Sequence, residues 1–223
     1  MTDVRDRAPQ AARSDPGRTP PRRRRGRVLR IVGLLLIAAG LVLGGVVWWR
    51  LWGTGFAARA AQNELRPSFE QRVDTRTLAE APTEPRVARV PGRAVAIIKI
   101  PKIDVDLVVV EGTDTESLTK GPGHYLDTAY PWEDHGRVGI AGHRTTYGAP
   151  FWSLDELEPG DRIVLATEFG VFEYRVTSSR IILPSDGSVL RQSKDPTLVL
   201  TTCHPRFSAA QRLVVFADRV ARL

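Results

Sequence analysis

Cysteine is almost missing from this chain: Cys203 is the single one among 223 residues. One thiol excludes an internal disulfide framework and any multi-cysteine zinc site. Lysine is scarce as well, 4 residues against 28 arginines, a bias that reads as a GC-rich coding sequence rather than a binding signal. No cluster of acidic residues suggests a calcium site, and no motif calls for another cofactor. Beyond residue 30 the chain has no net charge: ten Arg and three Asp occupy residues 1–30, which leaves 22 basic and 22 acidic groups in the remainder. The isoelectric point near 10.1 therefore belongs to a tail. No basic face remains to track phosphates, so a nucleic-acid-binding fold is excluded. No internal repeat is visible.

The apolar residues present, 42% of the chain, suffice for a core. Residues 1–30 hold almost none of them and are expected to be disordered. They stop at an uncharged run, Ile31 to Trp49 (IVGLLLIAAGLVLGGVVWW). At 1.5 Å per residue such a run spans about 28 Å, close to a hydrocarbon core of about 30 Å. Trp48, Trp49 and Trp52 sit where an interfacial aromatic belt lies, and the preceding arginines put the N-terminus in the cytosol. A cleaved signal peptide is the alternative, with Ala57–Ala61 as its cleavage site, although apolar cores of signal peptides are shorter. In either case the remainder leaves the cytosol.

Residues 50–93 combine a short helix over Phe56–Leu65 with a Pro/Thr/Glu/Arg stretch and read as an extracellular spacer. From Ala94 the pattern changes to short strand-like runs: 94–100, 105–110, 137–142, 162–167, 171–176, 197–203 and 212–220. Short helices fit Thr115–Lys120 and Phe151–Leu157. Seven or eight strands in about 130 residues predict an all-β barrel or sandwich over residues 94–223.

Three facts lift Cys203 above a buried hydrophobe. An exported unpaired thiol is exposed to oxidation. The run TLVLTTC must end there, because His204-Pro205 follows and Pro cannot continue a central strand. A residue at a strand end lies at the sheet rim, where sites are built. A thiol nucleophile also needs a base or a charge partner, since a free thiol ionises near pH 8.5. His204 is adjacent, but successive strand side chains point to opposite faces. His135 lies in a polar turn and His124 in a Gly-Pro-Gly-His loop. His143 ends the run RVGIAGH as Cys203 ends its own, and parallel neighbouring strands would bring the two together. An oxyanion needs a donor. Arg212 begins the last strand-like run, and an antiparallel return would set it beside Cys203. Arg206, Arg144 and Arg137 compete for that role.

These residues resemble the sortase family. Leu200-Thr201-Thr202-Cys203 matches its Leu-x-Thr-Cys signature, followed by an Arg at Arg212; Gly142-His143-Arg144-Thr145-Thr146-Tyr147-Gly148 resembles the histidine motif of class E sortases. IKIPKIDVDLVVVEG (98–112) and GPGHY (121–125) resemble the opening strands and the following loop. The resemblance implies a membrane-anchored cysteine transpeptidase with an eight-stranded β-barrel and no cofactor. It implies that Cys203 attacks the Thr-Gly bond of an LPXTG-like sorting signal, LAXTG for class E, and that a peptidoglycan-precursor amine resolves the thioacyl intermediate. His143 would act as acid and base, Arg212 would bind substrate backbone and oxyanion, and Thr202 and Tyr125 would contact substrate. L,D-transpeptidases and papain-like hydrolases also use Cys and His. The former carry Ser-His-Gly-Cys where this chain has Thr-Thr-Cys-His, and the latter place Cys before His. A non-catalytic wall-binding β-domain predicts an inert thiol.

Overall fold

The computed structural model describes residues 22–49, 53–77 and 88–222. The chain falls into two compact units, residues 1–45 and 46–223. Helix α1, Arg22–Trp48, carries the apolar run. Its large apolar side chains are exposed, Leu41 by 73% and Leu29 by 71%. A helix apolar on every face with none of it buried by protein suits a bilayer span. The helix takes in Arg22–Arg30, assigned above to a disordered tail. Arg is a good helix former, and an established helix propagates at little cost. Residues 1–21, the rest of that tail, lie outside the described residues.

Helix α2 runs from Thr54 to Thr77 with Pro67 inside it, far longer than the expected Phe56–Leu65. Nor does it behave as a free spacer. Phe69 is fully buried against Ala94, Ile97 and Val108 of the barrel. Gln62 acts as a substitute strand: its Oε1 accepts from Val108 N at 2.7 Å, and its Nε2 donates to Val108 O at 3.0 Å. Val108 needs this partner, because its strand meets the next one only at Val110 and Glu111. Gly121 leaves room for the exchange, since a Cβ there would lie 2.4 Å from Gln62 Nε2.

The remaining elements are β1 (Ala94–Ile100), β2 (Val105–Glu111), α3 (Thr115–Lys120), β3 (Gly123–His124), β4 (Arg137–Ala141), β5 (Arg162–Thr167), β6 (Gly170–Ile182), β7 (Thr197–His204) and β8 (Gln211–Arg222). The strands close into an eight-stranded barrel in the order β1-β2-β3-β4-β7-β8-β6-β5. The expected strands all form. The 151–157 helix shortens to one turn of 3₁₀ over Leu154–Glu156, and two-residue β3 is new. Alternation fills the interior with Ile98, Ile140, Leu165, Tyr174, Leu198, Leu200 and Val215. Val199 and Val214 point outward and are covered by Val189 of the β6–β7 connection.

Candidate active site

Three strand ends build the site. β4 and β7 are parallel neighbours, with Ala141 opposite Thr201. The ladder continues one step through Gly142 N donating to Thr201 O at 3.0 Å, so the next residue, His143, comes level with Cys203. On the far side of β7 the antiparallel strand β8 sets Arg212 directly opposite Cys203. Neighbouring strands are about 4.8 Å apart. Leu200 and Ile140 face the core, so by alternation Cys203 and His143 face outward, and Arg212 follows Cys203. Gly142 faces inward, where a Cβ would come within 2.5 Å of the Phe151 ring. Thr202 also faces inward, 3% exposed, and its hydroxyl donates to Gly142 O at 2.7 Å. It ties the nucleophile strand to the histidine strand. Cys203, His143 and Arg212 are each half-buried.

The four histidines separate by their partners. His124 is buried, with Nδ1 2.8 Å from Glu111 Oε1 and Nε2 2.9 Å from Ala129 O. The Tyr130 hydroxyl donates to the same carboxylate at 2.6 Å. Burial pushes the Glu111 carboxyl upward, but the His124 and Tyr130 bonds outweigh it and hold it below the usual range. His135 is exposed in its turn. His204 Nδ1 accepts from Arg144 at 3.1 Å. The His143 Nε2 is buried and has no hydrogen-bond partner among the described residues. Burial lowers the His143 pKa below its ordinary value.

The His143 ring rests on Tyr147, centroids 4.8 Å apart and tilted by 35°. Tyr147, Gly148 and Ala149 all have positive φ, at 52°, 77° and 47°. Two non-glycine residues in that region cost on the order of 1–3 kcal/mol each. The turn is held by Ala149 N donating to Thr146 O, Phe151 N donating to His143 O, and Tyr147 N donating to Thr54 Oγ1 of α2 at 3.1 Å.

The competing arginines are placed elsewhere. Arg137 sits at the opposite end of β4, level with Thr197. Arg206 stacks over Trp152 at 4.7 Å and pairs with Asp155. Arg144 is buried, pairs with Asp155 at 2.9 Å, and donates to Cys203 O at 3.4 Å. It locks the histidine turn to the nucleophile backbone, a role its sequence position beside His143 did not announce. Arg212 donates to the carbonyls of Ala209, in the β7–β8 loop, and of Gln211, the first residue of β8, at 2.9 and 3.0 Å. Tyr125 is half-buried and shares a hydrogen bond with Thr201 Oγ1 at 2.9 Å. Its ring lies over Gly139, where a Cβ would approach it to 2.9 Å, and so covers the outer face below the rim. Among the described residues no group of three His, Cys, Asp or Glu is arranged to hold a metal.

A thiol between an imidazole and a guanidinium has a nucleophile, a proton carrier and an anion donor in one row. The class this defines is a β-barrel enzyme with a cysteine nucleophile. The chain belongs to the sortase family, cysteine transpeptidases that anchor surface proteins to the cell wall: residues 98–220 match the Sortase domain family model. It is 34% identical over 204 residues to Sortase D of Bacillus subtilis, covering 86% of this chain and 98% of that one. Sortase SrtE1 of Streptomyces coelicolor is also 34% identical, over 206 residues; the match covers 86% of this chain but 57% of that longer protein. The crystal structure of Sortase E1 from that organism, with a tripeptide in its active site, superposes with a TM-score of 0.56 at 36% identity, covering 60% of this chain and 93% of that one. A Clostridium perfringens Sortase D5 transpeptidase gives a TM-score of 0.59 at 30% identity, over 74% and 99%.

Proposed function

We propose that this chain cleaves an LPXTG-like sorting signal, in the class E form LAXTG, between Thr and Gly, and joins the Thr carbonyl to an amine of a peptidoglycan precursor. The Cys203 thiolate adds to the Thr carbonyl, and Arg212 stabilises the oxyanion. The C–N bond breaks, His143 gives its proton to the departing Gly amine, and a thioester remains. The incoming amine loses its proton to His143, attacks the thioester and releases the thiolate. Thr202 holds the nucleophile strand, and Tyr125 shapes the pocket for the signal. The N-terminal arginines and α1 fit a single span, with residues 1–30 cytoplasmic, 31–49 in the membrane and residues 94–223 catalytic outside.

One observation carries this reading: Cys203 lies level with His143 on one side and Arg212 on the other, on adjacent strand ends of a sortase barrel. Mass spectrometry of the protein mixed with LAXTG and LPXTG peptides and a glycine amine tests it. We expect a Thr-thioester on Cys203 and a Thr–glycine product, both absent from Cys203→Ala. Cleavage at another bond, or product formed by Cys203→Ala, overturns the reading.

A further inference from the structure

A second concavity opens on the same rim. It measures about 280 Å³ and lies between α2, β2 and the turn after His143, with Tyr147, Gly148 and Pro150 forming one wall. The strand registers fix its level. Gly123 pairs with Ala141, so Gly121, in the cavity wall, is level with His143. β2 lies three strands from β7 in the barrel order, which at about 4.8 Å per strand is about 14 Å. Tyr147 stands between the two sites: it lines the cavity and carries the His143 ring.

The charges of the cavity are unequal. Arg59, Arg66 and Lys120 line it against one carboxylate, Asp106. Arg66 is committed to Asp106 at 2.7 Å and Glu70 at 3.3 Å. Lys120 pairs with Glu116 at 3.2 Å, and Lys99 lies 3.7 Å from Asp106. Arg59 has no carboxylate partner among the described residues; its guanidinium lies over the Phe56 ring at 6.0 Å. Exposed Asn63 stands one turn further along α2, on the same wall. An exposed guanidinium with an amide beside it suits a carboxylate.

We infer that this cavity is the acceptor subsite: it holds a carboxylate of a short acidic peptide whose amine reaches the Cys203 thioester past Tyr147 and His143. The inference rests on the transpeptidase reading above. An extended peptide spans about 3.3 Å per residue, so the 14 Å gap calls for a carboxylate about four residues from the attacking amine. The cavity has no part in donor cleavage, since it lies on the far side of the histidine turn from Cys203.

The test uses the full chain in detergent, an LAXTG donor peptide and two acceptors, Gly-Gly-Glu-Glu and the uncharged Gly-Gly-Gln-Gln amide. We expect the acceptor KM to be at least tenfold lower for the acidic peptide. Arg59→Glu should erase that preference, and Asn63→Trp, which fills the cavity, should raise the KM of the acidic acceptor at least tenfold. Equal KM values in the unmodified protein, or a preference that survives both substitutions, overturn the inference while transfer to both amines leaves the transpeptidase reading intact. A protein that never cleaves the donor overturns that reading and this inference together.

Discussion

Under the proposed mechanism, burial of His143 sets a conflict inside the catalytic cycle. Peptide cleavage needs the imidazolium to protonate the leaving amine, yet desolvation favours the neutral ring. An ordinary histidine is about 24% protonated at pH 7, from a reference pKa of 6.5. His143 carries less, so the thiolate–imidazolium pair that the proposed mechanism requires should be a small share of the protein and turnover should be slow at neutral pH. Tyr147 packs directly on the His143 ring. In Tyr147→Ala the ring should titrate at higher pH by NMR, and kcat should drop about 10²-fold because the ring loses its seat. An unmoved titration would show that Tyr147 does not govern the ring. Stability follows the same sign. The depressed pKa means the folded state prefers neutral His143, so its contribution is present above pH 6.5 and is lost as pH falls through the folded pKa. His124 gives the contrast. Replacing it with Ala removes one of the two side-chain partners of the buried Glu111 carboxylate and should cost about 1–3 kcal/mol in denaturant melts. His143→Ala should keep its melting profile and lose activity by several orders of magnitude. The reverse pattern would exchange the roles assigned to the two histidines.

At the scale of elements, α2 is part of the catalytic unit. Phe69 fills a site against β1 and β2, Gln62 completes the backbone bonding of β2, and Thr54 anchors the histidine turn. Phe69→Ala should destabilise the barrel by about 3–5 kcal/mol, read by chemical denaturation. A change below about 1 kcal/mol would mean that α2 rests on the barrel without supporting it. The strands that carry Cys203, His143 and Arg212 are legible in the sequence as short strand-like runs, one stopped by His204-Pro205 and one ending at Gly142-His143. Those endings put Cys203 and His143 at a rim only if their strands are parallel neighbours, and they leave Arg212 in competition with Arg206, Arg144 and Arg137; the strand register supplies the pairing. The helix is not legible in the same way. Its packed positions, Ala58, Gln62, Leu65, Phe69 and Val73, keep helical spacing, but a glutamine interrupts them and Pro67 reads as a breaker. Two-residue β3 leaves no periodic signal at all. Tyr147 lay within the recognised histidine motif, but only its positive φ and its contact with the ring reveal what it does.

For the whole molecule, the dependence of the site on α2 bears on whether the N-terminal segment is retained. Cleavage at Ala57–Ala61 would cut within α2, where Ala58 is 5% exposed. It would remove Thr54, whose hydroxyl accepts from Tyr147 N, and Gly55, where a Cβ would lie 3.7 Å from Gly148 N. A protein that needs α2 to seat its histidine turn should keep the segment before it, and with it the apolar helix α1. In the orientation proposed above the arginines ahead of that helix lie in the cytosol and Thr54 onward lies outside. Protease added to intact protoplasts should therefore degrade the barrel and leave a short N-terminal fragment ending near the membrane surface. The mature protein should still contain residue 31. A barrel that resists protease until the cells are lysed would reverse the orientation. A mature chain beginning near Ala61 would sink retention of the anchor and require the histidine turn to stand without Thr54.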